Sequence, residues 1–404
     1  MKTLQPVIAE ADRQRAAIGH FNISGLAAAP SSNRRDIQPH CGHENATRRR
    51  ESSDPGLVNG NAGRFRAHGD ENSASSRRCK VFFQVSSMKI PICLMLASFQ
   101  VLAQAQGKER SMEYPTSYRT IQIDGLSISY REAGAKDAPV LLLLHGLPSS
   151  SRMFEPLFAR LSDRYRLAAP DYPGFGHSGW PDPKKFAYTF DHLAEIVNHF
   201  AEALGLSRYT LYMQDYGGPV GFRMVLAHPE RIEALIVQDA VAHNEGLGAN
   251  WKTRRAFWAD RAANENALRV NLLSLATTRT RHVGSDPNVE RYDPDLWTDE
   301  FAFLSQPGQA DIQSDLFYDY RTNVEAYPKW QAWMRERQPR LLVLWGKYES
   351  SFDPSEPEAY RRDVPNAQVH ILDGGHFALD TASDEIAALV RGFAGSSSRG
   401  AGHS

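Results

Sequence analysis

The most restrictive feature of the chain is the run PVLLLLHG at residues 139–146, four leucines in succession with no polar residue among them. A strand with one face in water alternates apolar and polar side chains, whereas a short unbroken apolar run suits a parallel strand buried on both faces. Comparable runs return as YRLAAP at 165–170, TLYMQ at 210–214, ALIVQ at 234–238, RLLVLWG at 340–346 and QVHIL at 368–372. Between them lie helical patterns. Leu193, Ile196, Val197, Phe200 and Leu204 recur at helical spacing within residues 191–205, GGPVGFRMVLAHP predicts a helix ending near Pro229, and residues 383–393 predict a last helix. Alternating strands and helices define an α/β domain whose mostly parallel, doubly wound sheet carries helices on both faces. At its start, TIQIDGLSISYREAG reads as two alternating strands joined at Asp124 and Gly125, a hairpin signal.

The alternation stops between residues 242 and 337, a helix-prone stretch rich in Trp, Tyr and Arg that predicts a helical cap over the sheet. The domain is thus expected in two parts, 112–241 and 338–394, with 395–404 (SSSRGAGHS at its end) as a flexible tail. Residues 1–87 are rich in Ser, Asn, Gly, Arg and His without a sustained period, and are expected to be a disordered or non-mature leader. At 88–111, MKIPICLMLASFQVLAQAQG has the layout of a secretory signal, with Lys89, an apolar stretch too short for a stable membrane anchor, and a small-x-small site. Translation from Met88 would imply a periplasmic or secreted protein, translation from Met1 a cytoplasmic one. Cys41, Cys79 and Cys93 all precede the predicted domain, which therefore uses neither disulfides nor thiol chemistry. HCGH around Cys41 has no second ligand pair at zinc spacing, and no metal or cofactor is expected. With 46 Lys and Arg against 47 Asp and Glu, the chain has no charge excess to suggest nucleic acid or a membrane surface as partner.

Asp215 ends the run TLYMQD and precedes a helix that opens with Gly217 and Gly218. Strand, sharp turn and helix form a nucleophile elbow, which lifts one side chain above the sheet edge; an aspartate there is alternatively a helix N-cap. His145, Gly146, Leu147 and Pro148 follow the first buried strand, where the backbone N–H of Leu147, with that of Tyr216, is placed to form an oxyanion hole. In ILDGGHFALD, His376 follows a strand and two glycines, on a loop that would carry a base over the elbow. Gly174 and Gly176 in DYPGFGHS lack the lysine and third glycine of a phosphate loop and read as a strand exit.

Together QDYGG, HGLP, DYPGFGHS and GGHF resemble the α/β-hydrolase superfamily across residues 114–393, and specifically its aspartate-nucleophile branch of epoxide hydrolases and haloalkane dehalogenases. The resemblance implies an α/β-hydrolase fold with the cap inserted after the sixth strand, and Asp215, an acid and His376 as a triad. A carboxylate attacking acyl carbon would give an anhydride with little gain, but at a saturated carbon bearing a leaving group it gives an alkyl-enzyme ester. His376 would then activate water against the Asp215 carbonyl. Glu349 in WGKYESSF occupies the superfamily's usual acid position, and Asp239 in LIVQDAVAH is the alternative.

The leaving group separates the two activities of this branch. Haloalkane dehalogenases carry Trp after the nucleophile and often Asn in the HG-x-P loop; here Tyr216 and Leu147 stand there. Epoxide opening needs a proton donor, and FYDYRTNVEAYPKW resembles the tyrosine-bearing cap segment, with Tyr320 as the match and Tyr318 and Tyr327 nearby. The family's second cap tyrosine is absent between residues 242 and 283, where Trp251 and Trp258 lie instead; an indole N–H from either would serve a halide. With His145, these side chains form the expected pocket for a small, mostly apolar molecule. Epoxide opening is the leading expectation, haloalkane dehalogenation the alternative, and a binding protein without turnover a third reading.

Overall fold

The computed structural model describes residues 114–394. The expected leader, the signal-like segment with all three cysteines, and the tail lie outside the described residues.

Eight strands, β1 (Ser117–Ile123), β2 (Leu126–Ala133), β3 (Val140–Leu144), β4 (Arg166–Pro170), β5 (Tyr209–Gln214), β6 (Ile232–Gln238), β7 (Leu341–Gly346) and β8 (Gln368–Leu372), form one sheet. Their order is β1-β2-β4-β3-β5-β6-β7-β8, antiparallel through β1-β2-β4 and parallel from β4 onward. The β1-β2 hairpin turns at Asp124 and Gly125, which both take positive φ, 52° and 77°. Leu142 and Leu144 enter the core shared with α2 (Phe190–Ala203) and α3 (Gly217–Ala227), whereas Leu141 and Leu143 enter the opposite core, beneath α1 (Glu155–Leu161) and the last helix. Both faces of β3 are therefore consumed by packing, which is why its sequence does not alternate.

Five helices follow the sixth strand before β7 begins: α4 (Lys252–Ala259), α5 (Arg261–Leu272), α6 (Leu275–Val283), α7 (Asp295–Leu304) and α8 (Gln309–Arg337). The 29 residues of α8 run as a single helix through Pro328. This helix returns the chain to the sheet: Trp330 stacks on Phe222 of α3, with ring centroids 5.0 Å apart and planes 12° from parallel. After β7, α9 (Glu356–Asp363) and α10 (Leu379–Ala394) complete the domain. The last helix starts before the expected Ser383 because one further turn precedes a non-helical residue at Ala382.

Candidate active site

The β5-α3 turn presents Asp215 with φ of 47°, a left-handed backbone that a non-glycine residue holds only where its surroundings enforce it. Two close approaches do so. A Cβ on Gly217 would stand 2.2 Å from the Leu144 carbonyl oxygen, and one on Gly146 would stand 2.3 Å from the Asp215 Cβ. The two loops at this sheet edge thus fit together only as glycines. No side-chain cap is formed at the start of α3, so Asp215 does not act as the helix N-cap. Instead its Oδ1 accepts the Leu147 N–H at 2.8 Å, and its Oδ2 lies 3.6 Å from His376 Nε2.

His376 is completely buried. Its loop is clamped: His376 N–H donates to the Arg281 carbonyl at 3.2 Å, and Gln214 Nε2 donates to the His376 carbonyl at 3.3 Å. On the ring, Nδ1 is 2.5 Å from Glu349 Oε2. Burial disfavours the imidazolium, but the Glu349 charge, the Asp215 carboxylate 3.6 Å away and the hydrogen bond with Glu349 outweigh it and raise the histidine to about 10. Gln214 opposes this from one side, since its amide Nε2, 3.1 Å from His376 Nε2, is a donor that suits a free lone pair there.

Asp239 is within the same buried group but does not contact the imidazole. Its Oδ1 accepts the Gly346 N–H at 2.8 Å, and burial, then the neighbouring Glu349 charge, push its carboxyl well above the usual carboxylate range. Its charge is thus disfavoured beside Glu349, and Glu349 is the carboxyl group in contact with His376. Gln214 had no place in the expected triad. The available signal was a polar side chain closing an otherwise apolar buried strand just before the elbow.

His145 is structural. Its Nε2 accepts the Tyr172 N–H at 3.2 Å and its ring stacks on Tyr172 at 4.1 Å, while burial lowers its pKa. Asp171 completes this corner by accepting the Ser151 and His177 N–H groups at 2.8 and 2.9 Å, and both Gly174 and Gly176 take positive φ, as a strand-exit loop requires.

Over Asp215 the helical insert supplies an aromatic roof. Tyr216, the residue from which α3 starts, has its ring 6.2 Å from that of Tyr320, which in turn meets Trp251 at 4.8 Å and Trp258 at 6.3 Å. Among the described residues the buried Tyr216 hydroxyl has no hydrogen-bond partner, that of Tyr320 faces the hydroxyl of Tyr327, and burial holds the pKa values of Tyr216 and Tyr320 well above 10. Tyr327, two helical turns below Tyr320, is also buried and packs on Trp330. Tyr318 is not brought to the pocket: two residues from Tyr320 on the same helix, it faces away, against Phe257 and between the guanidinium groups of Arg261 and Arg321. The tryptophans line the roof with their rings, but their N–H groups are committed, Trp251 to the Ser351 carbonyl at 2.9 Å and Trp258 to the Phe317 carbonyl at 2.7 Å.

Comparison with known proteins bears on the fold and the family. Residues 139–383 match the family described as alpha/beta hydrolase fold. An uncharacterized hydrolase of Saccharomyces cerevisiae is 38% identical over 269 residues, 65% of this chain and 92% of that protein. Haloalkane dehalogenase 2 of Mycobacterium tuberculosis is 34% identical over 293 residues, covering 69% of this chain and 94% of that one. The solved epoxide hydrolase CorEH superposes with a TM-score of 0.56 at 17% identity, over 70% of this chain and 99% of that one, a likeness of fold. With an acid, a histidine and an elbow aspartate gathered at the carboxyl ends of parallel strands, and a family match spanning most of the described residues, the chain belongs to the α/β-hydrolase family.

Proposed function

We propose that this hydrolase opens epoxides through an alkyl ester on Asp215. The observation that carries this reading is the pair of buried tyrosine hydroxyls, Tyr216 and Tyr320, in the roof over the nucleophile, neither of which has a carbonyl or carboxylate to donate to among the described residues. Kept protonated by burial, they are proton donors in want of an acceptor, which the oxygen of an opening epoxide would be. Tyr216 takes the place of the second cap tyrosine that the insert lacks. Asp215 Oδ2 attacks the epoxide carbon, forming the ester C–O bond as the ring C–O bond breaks, and a tyrosine protonates the alkoxide. Oδ1 stays on the Leu147 N–H, where it becomes the ester carbonyl oxygen and then the oxyanion.

Ester formation also frees the base. In the resting site the Asp215 carboxylate helps hold the proton on His376; once esterified, it no longer does. Gln214 then donates to the bare Nε2 until water displaces it. The proton that His376 sheds restores the tyrosine; the neutral imidazole then takes a proton from that water as it attacks the Asp215 carbonyl carbon and returns it to the departing alkoxide oxygen, and the proton left on the regenerated Asp215 carboxyl goes back to His376. The sum is epoxide plus water giving a diol.

Haloalkane displacement is the second reading, favoured by the dehalogenase relative. Against it stand the committed indole N–H groups of Trp251 and Trp258. The His376→Phe variant of the full chain separates the readings, because it strands the ester. Incubated with styrene oxide, it should gain the mass of the whole epoxide on Asp215. A gain only with 1-bromobutane, equal to that haloalkane less hydrogen bromide, would replace the epoxide reading with the second, and no adduct from either, with an inactive wild type, would sink both.

A further inference from the structure

Beside the catalytic centre a cavity of about 510 Å³ opens between the insert and the β7-α9 loop, within the size range of small-molecule sites. Its walls include Arg254, Arg281, Asn271, Thr280 and Ser351. Two contacts tie it to the reacting residues. The Arg281 carbonyl holds the His376 N–H, and Ser351 precedes Phe352, whose ring lies 5.7 Å from that of His376.

The two arginines are unusual in what they lack. Arg281 is 5% exposed, and among the described residues neither guanidinium has a carboxylate within ion-pair distance. Arg281 Nη2 donates to the Leu272 carbonyl at 3.0 Å and Arg254 Nη1 to the Asn250 carbonyl at 3.4 Å, with the Arg254 guanidinium 4.4 Å above the Trp251 ring. Arg281 Nη1 and Arg254 Nε are buried without any partner. A buried cation lacking a counter-ion is costly, and two near each other are more so. Burial, and after it the Arg281 charge, pull Arg254 down to about 10, and burial also lowers Arg281. Elsewhere on this insert Arg261 and Arg269 pair with Glu265, and Arg255 and Arg279, which have no carboxylate partner, are exposed. Among the arginines of the insert, buried N–H groups without a partner occur at Arg254 and Arg281 alone.

We infer that the substrate carries a carboxylate, received by Arg254 and Arg281 in this cavity while its electrophilic carbon reaches Asp215. This deepens the displacement reading and rests on it. Guanidinium donors match carboxylate oxygens in geometry and charge. The cavity is far larger than a halide needs, and it lies to the side of the nucleophile, so a leaving group does not account for it. The same charges solve a second difficulty, since an anionic substrate would otherwise be repelled by the Asp215 carboxylate it must meet; Asp215 is among the charges that both arginines feel.

The test begins with ligands that cannot react. Phenylacetate should raise the melting temperature of the full-length wild type at concentrations at least about tenfold below those of phenylacetamide, because only the anion satisfies the guanidinium groups. Equal effects of acid and amide, or an equal effect of bromide, would overturn the inference. Kinetics follow with 3-phenylglycidate and its amide. The wild type should favour the acid by about a hundredfold in kcat/KM. Arg254→Gln, in the less buried position, should remove most of that preference, with Arg281→Met as the second variant. Turnover of the amide without preference for the acid would refute the carboxylate site and leave the displacement reading standing. Preferential phenylacetate binding with no adduct on Asp215 in His376→Phe would do the reverse.

Discussion

At the scale of single residues, the structure separates two carboxylates that the sequence left as alternatives. Glu349 touches His376 Nδ1, whereas Asp239 makes no hydrogen bond to the ring, and burial and Glu349 itself push its carboxyl upward. Their substitutions should differ accordingly. Glu349→Gln removes the charge that orients and stabilises the imidazolium, so kcat should fall by about 10²–10⁴ with the alkyl ester accumulating in a burst experiment. Asp239→Asn replaces a carboxyl whose charge is disfavoured by an amide of the same shape and should stay close to wild type; a loss matching that of Glu349→Gln would show that both carboxylates serve the base. Asp215, His376 and Leu147 were legible because strand, turn and glycine spacing fix where they emerge. Gln214 was not, for its role depends on which side chain the last loop lays against it, a contact 162 residues distant in sequence. Nor was the commitment of both indole N–H groups, since backbone carbonyls that accept them leave no mark in composition.

At the scale of elements, the sheet was readable from apolar runs because each strand answers to a local rule of burial, and the hairpin from its turn chemistry. The insert was readable only as helix-prone. Its helices answer to one another and to the core, and α8 shows how. Pro328 argues locally for a break, yet the helix continues because packing on α3 outweighs the lost hydrogen bond. Arg223 of α3 secures that packing. Its guanidinium reaches Asn323 Oδ1 at 2.7 Å and Thr322 Oγ1 at 3.1 Å and lies 5.7 Å from the rings of Phe190 and Trp330. Its ion pair with the exposed Asp191 adds little. Arg223→Met keeps the apolar stem but deletes the bonds to α8, and should lower stability by about 2 kcal/mol in urea unfolding. A change within the error of the wild type would mean that the aromatic stack alone holds the helix.

At the scale of the whole molecule, the proposed chemistry requires the insert to be held at a fixed height over Asp215, because Tyr320 and the nucleophile belong to different parts of the chain. One buried cluster couples that position to pH. His282 at the end of α6 is 1% exposed and sits between Asp380 of α10, 2.8 Å from Nδ1, and Glu300 of α7, 2.9 Å from Nε2. Its ring stacks on Phe377 at 4.5 Å, and a Cβ on Gly375 would stand 2.1 Å from its carbonyl oxygen, so the loop carrying His376 rests directly on it. Burial opposes the imidazolium, but the two carboxylates prevail and raise His282 to about 9. A histidine whose folded value is raised contributes stability that is fully present below its unfolded value of about 6.5 and is lost as pH rises through about 9. Removing one member of a buried ionic cluster costs about 3 kcal/mol or more when the cluster is charged. His282→Gln should therefore be much less stable than wild type at pH 6 in urea unfolding, with the gap narrowing towards pH 10 as the wild-type histidine loses its proton. A gap of constant size across that window would mean that His282 acts through its shape and its stack on Phe377, and that charge plays no part in seating the insert.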